Sequence, residues 1–313
     1  MWLIYALGGG WGHLTRAIAL ARVAHRSRPV RILTNSPYIG QVAGCLGGRI
    51  ACSTVDSRNA ALREIADCRP EVLIVDTFPR GIAGELASVD ARCPRVLVHR
   101  DLNPRYVERF LLREFVSSNF QLVVIPGAGE GTQLGDPPAT FTTEPWLVRS
   151  AWEIASETPV PPGSILICAS GRPEELAWYG EVVAELRRLG CTAPVRCVAA
   201  ERPPGCPAEW WLHYWPAMDL FGAASVVVGG AGYNTVSECL AWQVPLLARA
   251  WPRMYDRQDL RAQRAAARGR VVLVSEPEEA ARAALEELGS TLSGEPHFTN
   301  GAAAAVQRIG EML

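Results

Sequence analysis

Short apolar runs, each followed by a segment of helical spacing, recur along almost the whole chain. "WLIYAL" (2–7) precedes a helical pattern at 13–25, "VRILT" (30–34) precedes 36–46, and "EVLIVD" (71–76) precedes 80–89. "RVLVHR" (95–100) leads into 104–118, and "FQLVVIPG" (120–127) closes the first set. The runs show no polar alternation, so each strand must be covered on both faces, and crossover helices are the elements that cover them. This pattern restricts the chain to an α/β fold built on parallel sheet.

Around 136–163 the texture changes to "DPPATFTTEPWLVRSAWEIASETPVPPG", rich in Pro and Thr, which marks a boundary. The alternation then restarts with "SILICAS" (164–170), "PVRCVA" (194–199) and "WWLHYW" (210–215), then "SVVVGG" (225–230), "PLLARA" (245–250) and "RVVLVS" (270–275). Helical segments are expected from 173, 217, 234 and 256. The expected organisation is two Rossmann-like, doubly wound domains, 1–148 and 164–313, joined by a linker at 149–163. Such domains are expected to face a cleft, with ligands at the carboxyl ends of the strands.

Charge and cysteine usage exclude several classes of function. The net charge of −1 gives no electrostatic case for nucleic acid as the main partner. All 31 cationic side chains are Arg, which rules out a Lys nucleophile or Schiff base. The nine Cys contain no CxxC pair, and His25, His99, His213 and His297 have no zinc-like spacing, so no metal is expected. Scattered thiols, no basic leader and no run near the ~20 apolar residues of a membrane span read as a cytoplasmic protein. Peripheral contact with a membrane surface, through a lipid-linked substrate, stays compatible with that reading.

The stretch "VVVGGAGYNTVSECLAWQVPLL" (226–247) carries the strongest local signal. A buried-looking strand breaks at Gly229, Gly230, Ala231 and Gly232, where backbone N–H groups can approach a ligand closely. Asn234 or Thr235 then stands at a helix start, where unpaired N–H groups and the helix dipole favour phosphate. Glu238 follows one turn later on the same face, suited to accept hydrogen bonds from a ribose diol. On spacing alone, the same residues equally suit a plain strand–helix turn with a cap.

"GAGYNTVSE" (230–238) resembles the donor-binding motif of GT-B glycosyltransferases. It is similar to Cys-Gly-Trp-Asn-Ser, followed three residues later by Glu, in the plant UDP-glycosyltransferase branch. It is also similar to Ser-Gly-Ala-Leu-Thr-Val-Ser-Glu in the peptidoglycan N-acetylglucosaminyltransferases. The resemblance implies that Gly230, Ala231, Gly232, Asn234 and Thr235 meet the diphosphate of a UDP-sugar and that Glu238 holds its ribose. Three further segments follow in the family's order. "YWPAMDLFGAAS" (214–225) resembles the segment whose backbone pairs with the base, which implies Trp215, Pro216 and Met218 near uracil. "ASGRPEE" (169–175) resembles the phosphate turn, here Ser170, Gly171 and Arg172. "MYDRQDLRAQ" (254–263) resembles the sugar-binding Asp-x-Gln, here Asp256 and Gln258; Asp259 after Gln258 departs from the family's pattern and leaves the sugar undetermined.

"GGGWGHLTRAIALAR" (8–22) is similar to the family's N-terminal Gly-rich loop, with Gly10 and Gly12 in the loop and His13 at a helix start one turn before Arg16. His suits proton transfer near neutral pH. It would take the proton of an acceptor hydroxyl, with Asp76 or Asp101 orienting it from the ends of two other strands of the first domain. "VHRDLNPR" (98–105) loosely resembles the family's His-Glu-Gln-Asn acceptor loop, and as a plain reading both acids would instead cap the next helix.

The implied activity is inverting, metal-independent transfer of a sugar, N-acetylglucosamine or a hexose, to an unidentified hydroxyl acceptor with no cofactor required. Two other readings stay open. The run "GWGHLTR" (10–16) also resembles the start of a bacterial nucleotide-sugar hydrolase of the same architecture. A non-catalytic donor-binding subunit would carry the same donor motif.

Overall fold

The computed structural model describes the chain apart from residues 43, 45, 47, 90, 91, 128–133, 135–138, 155, 156 and 290–295. Cys45 and part of the helix expected at 36–46 lie outside the described residues. The chain divides into two compact units, one comprising Met1–Val148, Met254–Arg257 and Thr299–Leu313, the other Arg149–Arg253 and Gln258–Phe298.

The first unit is built on β1 (Trp2–Tyr5), β2 (Val30–Thr34), β3 (Ile50–Thr54), β4 (Val72–Asp76), β5 (Arg95–Val98), β6 (Leu122–Pro126) and β7 (Thr140–Thr143). All pairings are parallel, in the order β3-β2-β1-β4-β5-β6-β7. Every residue of β1 and β4 is buried, which is why these central strands read as unbroken apolar runs. The edge strands β3 and β7 keep several side chains partly or fully exposed. Neither carries an apolar run, and neither was legible as a strand in the sequence.

Helices α1 (Trp11–Ala24), α2 (Ile39–Val42), α3 (Arg58–Cys68), α4 (Pro104–Arg109) and α5 (Leu112–Asn119) connect these strands. Ser57 caps α3 by accepting from the Ala60 N–H, and Asn103 caps α4 with Pro104 in its first turn. The single helix expected at 104–118 is broken at Leu111, whose φ of 46° is left-handed and cannot continue an α-helix. The helix expected at 80–89 is only a 3₁₀ turn at Glu85–Ser88. There the buried Glu85 turns inward and accepts hydrogen bonds from the Tyr5 hydroxyl and the Ala83 N–H.

The second unit contains β8 (Ser164–Cys168), α6 (Pro173–Arg188), β9 (Val195–Val198), β10 (Trp211–Leu212), β11 (Ala224–Gly230) and α7 (Tyr233–Trp242). It continues with β12 (Leu246–Arg249), α8 (Gln258–Ala266), β13 (Val271–Leu273) and α9 (Pro277–Glu287). Its parallel sheet runs β10-β9-β8-β11-β12-β13, repeating the central strand order of the first sheet. Val226, Val227 and Val228 of β11 are fully buried, each stabilising the fold by roughly 1.5–3 kcal/mol relative to exposure. The aromatic run 210–215 yields only the two-residue edge strand β10, and residues 217–223 form a 3₁₀ rather than an α-helix. The last helix, α10 (Ala302–Met312), belongs to the first unit and packs on α1, β6 and β7.

Gly180 in the middle of α6 lies against the carbonyl of Pro204, so a methyl group at this position would overlap that backbone oxygen. Ala is the better helix former by ~1 kcal/mol, yet Gly180→Ala is expected to destabilise the protein by roughly 1–3 kcal/mol through overpacking. A lowered denaturant midpoint with unchanged slope would show it; an unchanged or raised midpoint would refute the close contact.

Candidate active site

In each sheet the strand order reverses once at its centre, between β1 and β4 and between β8 and β11. Crevices at the carboxyl ends of strands flanking such a reversal are the binding places of open α/β sheets. His13 and Asp76 lie at the first of these points, and the stretch 230–238 lies at the second.

In the first unit β1 runs out into Gly8, Gly9 and Gly10 before α1 begins at Trp11. The Gly8 and Gly9 N–H groups both donate to Asn35 Oδ1 at 2.8 Å, which fixes the loop against the end of β2. His13, in the first turn of α1, brings Nδ1 to 2.6 Å from Asp76 Oδ2 at the end of β4. Arg16, one turn further, lies on the same helix face and is buried. It clamps the carboxylate through Nε to Oδ1 at 3.1 Å and Nη2 to Oδ2 at 2.8 Å. The imidazole rests on Gly8, where any Cβ would overlap the ring, and stacks on Phe78 with centroids 5.3 Å apart.

The electrostatics of this cluster assign its protons. Burial pushes the Asp76 carboxyl up, but the Arg16 guanidinium and the His13 ring outweigh it and hold the group well below the usual carboxylate range. Burial pulls His13 below the usual imidazole range; Asp76 opposes that shift, and Arg16 and Arg100 reinforce it. At neutral pH the pair is therefore carboxylate and neutral imidazole. An ionised Asp76 only accepts, so Nδ1 carries the proton and Nε2 is left as a base. Asp76→Asn would remove the acceptor that selects this tautomer. It is expected to lower turnover by about 10²–10⁴ with little change in nucleotide affinity, read as kcat against nucleotide Kd. Retention of full kcat would exclude the dyad from the chemistry.

In the second unit β11 ends at Gly230, and Ala231 and Gly232 lead into α7. The helix begins with Gly232 as N-cap and no side-chain cap, so its first N–H groups remain available to a ligand. Asn234 Oδ1 is buried without a hydrogen-bond partner, and Thr235 packs over Gly229. Glu238 is only 7% exposed, and no hydrogen bond or ion pair holds its carboxylate among the described residues. Burial, with the nearby Asp219 adding to it, pushes this group up to about 8. A buried acid without a partner costs stability.

The structure sorts the remaining expected residues. Asp101 forms an ion pair with Arg257, whereas Asp76 brings its carboxylate within hydrogen-bond distance of the imidazole. Asp256 belongs to the first unit, where it accepts from Arg100 at 2.9 Å and pairs with Leu102 in an antiparallel bridge. Gln258 is buried at the start of α8 and accepts from the Trp251 N–H at 3.0 Å. Ser170, Gly171 and Arg172 form the exposed turn before α6, with Arg172 paired to Glu174 at 3.8 Å. Trp215 is half-buried, Pro216 is buried and Met218 is fully buried. Gly10 is the N-cap of α1 and Gly12 lies in its first turn. Sequence reasoning assigned no role to Arg16, Asn35 or Phe78. For Arg16 the signal was present, since its spacing from His13 puts both on one helix face.

Among the described residues no group of three or more His, Cys, Asp or Glu is placed to hold a metal ion, and no helix is long and apolar enough to cross a membrane. The eight described cysteines are free thiols.

Two doubly wound parallel sheets, each with its own reversal point, define the GT-B class of fold. Among solved structures the chain is similar to the glycotransferase of kitacinnamycin, with 15% identity and a TM-score of 0.64 over 100% of this chain and 98% of that one. The spinosyn forosaminyltransferase matches with 16% identity and a TM-score of 0.64, covering 99% of this chain and 98% of its own. The spinosyn rhamnosyltransferase complexed with thymidine diphosphate matches with 17% identity and a TM-score of 0.61, covering 99% and 95%. At these identities the likeness is one of architecture. No protein-family model and no curated protein sequence matches the chain.

Proposed function

We propose that the protein is an inverting glycosyltransferase that moves a sugar from a nucleoside-diphosphate donor to a hydroxyl acceptor without a metal ion or other cofactor. The observation that carries this reading is the His13–Asp76–Arg16 arrangement, a neutral imidazole with its outer nitrogen free, in a chain of GT-B fold. His13 Nε2 takes the acceptor's proton as that oxygen attacks the anomeric carbon. Attack by the acceptor itself, with no protein nucleophile, inverts that centre. The uncapped start of α7 at Gly232–Asn234 stabilises the charge that develops on the leaving diphosphate. Glu238 accepts from the ribose hydroxyls, which favours a uridine over a thymidine donor, because deoxyribose lacks the 2′-hydroxyl. The architectural relative that binds thymidine diphosphate keeps that second nucleotide in the test.

The experiment is an incubation of the protein with UDP- and TDP-sugars, N-acetylglucosamine and hexoses included, with and without a library of hydroxyl acceptors. Nucleotide release that depends on acceptor is expected. Rapid, stoichiometric release of free sugar and nucleotide in water alone would replace transfer by hydrolysis, for which His13 would activate water instead. Tight nucleotide binding with no turnover of any donor would leave a binding subunit.

A further inference from the structure

Around the end of β11 lies a second group of side chains that the sequence reading did not use. Gly230 and Arg249 are directly paired in the β11–β12 register, so their side-chain positions point to the same face of the sheet, the one covered by α6 and α9. A Cβ on Gly230 would stand 3.4 Å from the Tyr179 hydroxyl and 3.7 Å from Trp251 Nε1. The Arg249 guanidinium carbon lies 5.1 Å from the Trp251 ring centre and 6.0 Å from that of Trp178. These two indoles meet edge to face at 5.8 Å and frame the cation.

Arg249 Nε is buried without a hydrogen-bond partner, and Tyr179 Oη and Trp251 Nε1 are buried with no partner beyond each other. Among the described residues Arg249 has no carboxylate partner, whereas the neighbouring Arg253 is clamped by Glu175, with Nη2 to Oε2 at 2.6 Å. Burial keeps the Tyr179 phenol protonated, and hence a donor. A buried donor left unpaired is costly, and a cation beside a phenol O–H and an indole N–H, with no carboxylate among them, matches an anion with several acceptor oxygens. The group adjoins Gly230, immediately before the open N-terminus of α7.

We propose that Arg249, held between Trp178 and Trp251 and assisted by Tyr179, is a binding residue for the diphosphate of the nucleotide donor. Its fixed positive charge supplies the neutralisation that the uncapped α7 terminus provides only as a partial charge. The inference rests on the donor-binding reading of the second unit and names a residue which that reading did not include.

The test is calorimetric titration of the full chain with uridine, UMP and UDP, and with the thymidine series, for wild type, Arg249→Met, Arg249→Lys and Trp251→Phe. Arg249→Met is expected to weaken UDP binding by roughly 10- to 100-fold while leaving nucleoside affinity unchanged. Arg249→Lys is expected to recover part of the loss, and Trp251→Phe, which keeps the ring, to lose less than Arg249→Met. An unchanged ratio of UDP to nucleoside affinity in Arg249→Met overturns the proposal; if that variant does not fold, the same ratio in Arg249→Lys decides. Failure of wild type to bind any nucleotide would instead overturn the donor-binding reading itself.

Discussion

Replacing His13 by alanine is expected to lower turnover by roughly 10²–10⁴-fold, the usual contribution of a positioned general base. Nucleotide affinity should stay unchanged, because His13 lies in the first unit while the donor is assigned to the second. The structure also sets the pH profile. A base must be deprotonated to act, and burial holds His13 below the ordinary imidazole range. Wild-type kcat at saturating donor is therefore expected to be flat through pH 7 and to fall only on acidification below that range. In the His13→Ala enzyme the acid limb should disappear with the activity. Loss of nucleotide binding in this variant, or an acid limb that persists in it, would move the proton-transfer role elsewhere.

The second large effect is expected at Glu238, whose carboxyl is pushed up to about 8 by burial, with Asp219 adding to it. The folded value lies above the ordinary carboxylate value of about 4.3. Between these two values the native state therefore holds a proton that the unfolded chain has released. Glu238's contribution to stability is then fully present below that lower value and is lost as pH rises through 8. Glu238→Gln mimics the protonated form and is expected to make the nucleotide-free protein more stable at pH 8.5, on the order of 2–4 kcal/mol. The same substitution should weaken nucleotide binding, since ribose hydroxyls donate best to the ionised group. Wild type should bind nucleotide more tightly between pH 6 and pH 8 and release a proton on binding. Calorimetry in buffers of different ionisation enthalpy measures that proton. No proton release, together with unchanged affinity in Glu238→Gln, would remove Glu238 from the ribose.

These two residues also show how far the sequence could be read. Glu238 was legible because its partners are local: the glycine break, the helix start and the acid one turn on all lie within 229–238. His13 stood out for the same reason, in a glycine loop at a helix start. Its orienting acid could not be chosen from sequence, because Asp76 and Asp101 both follow apolar strands and only the packing of β4 beside β1 brings Asp76 within 2.6 Å. The segment 254–257 is a second case. Its motif resemblance pointed Asp256 at the donor's sugar; that its carboxylate also accepts from Arg100, within the first unit, was not readable from the motif.

By itself the sequence determined the class of fold, because strands buried on both faces leave an apolar signature that needs no knowledge of their neighbours. It determined the local turns at Gly8–Gly10 and Gly230–Gly232 for the same reason, their geometry being set within a few residues. Tertiary structure alone decided the edge strands β3 and β7, the inward turn of Glu85, the Arg16 clamp on Asp76 and the buried donors around Arg249. Each of these depends on groups far apart in the chain whose meeting is fixed by sheet order and packing, and nothing in a local pattern records it.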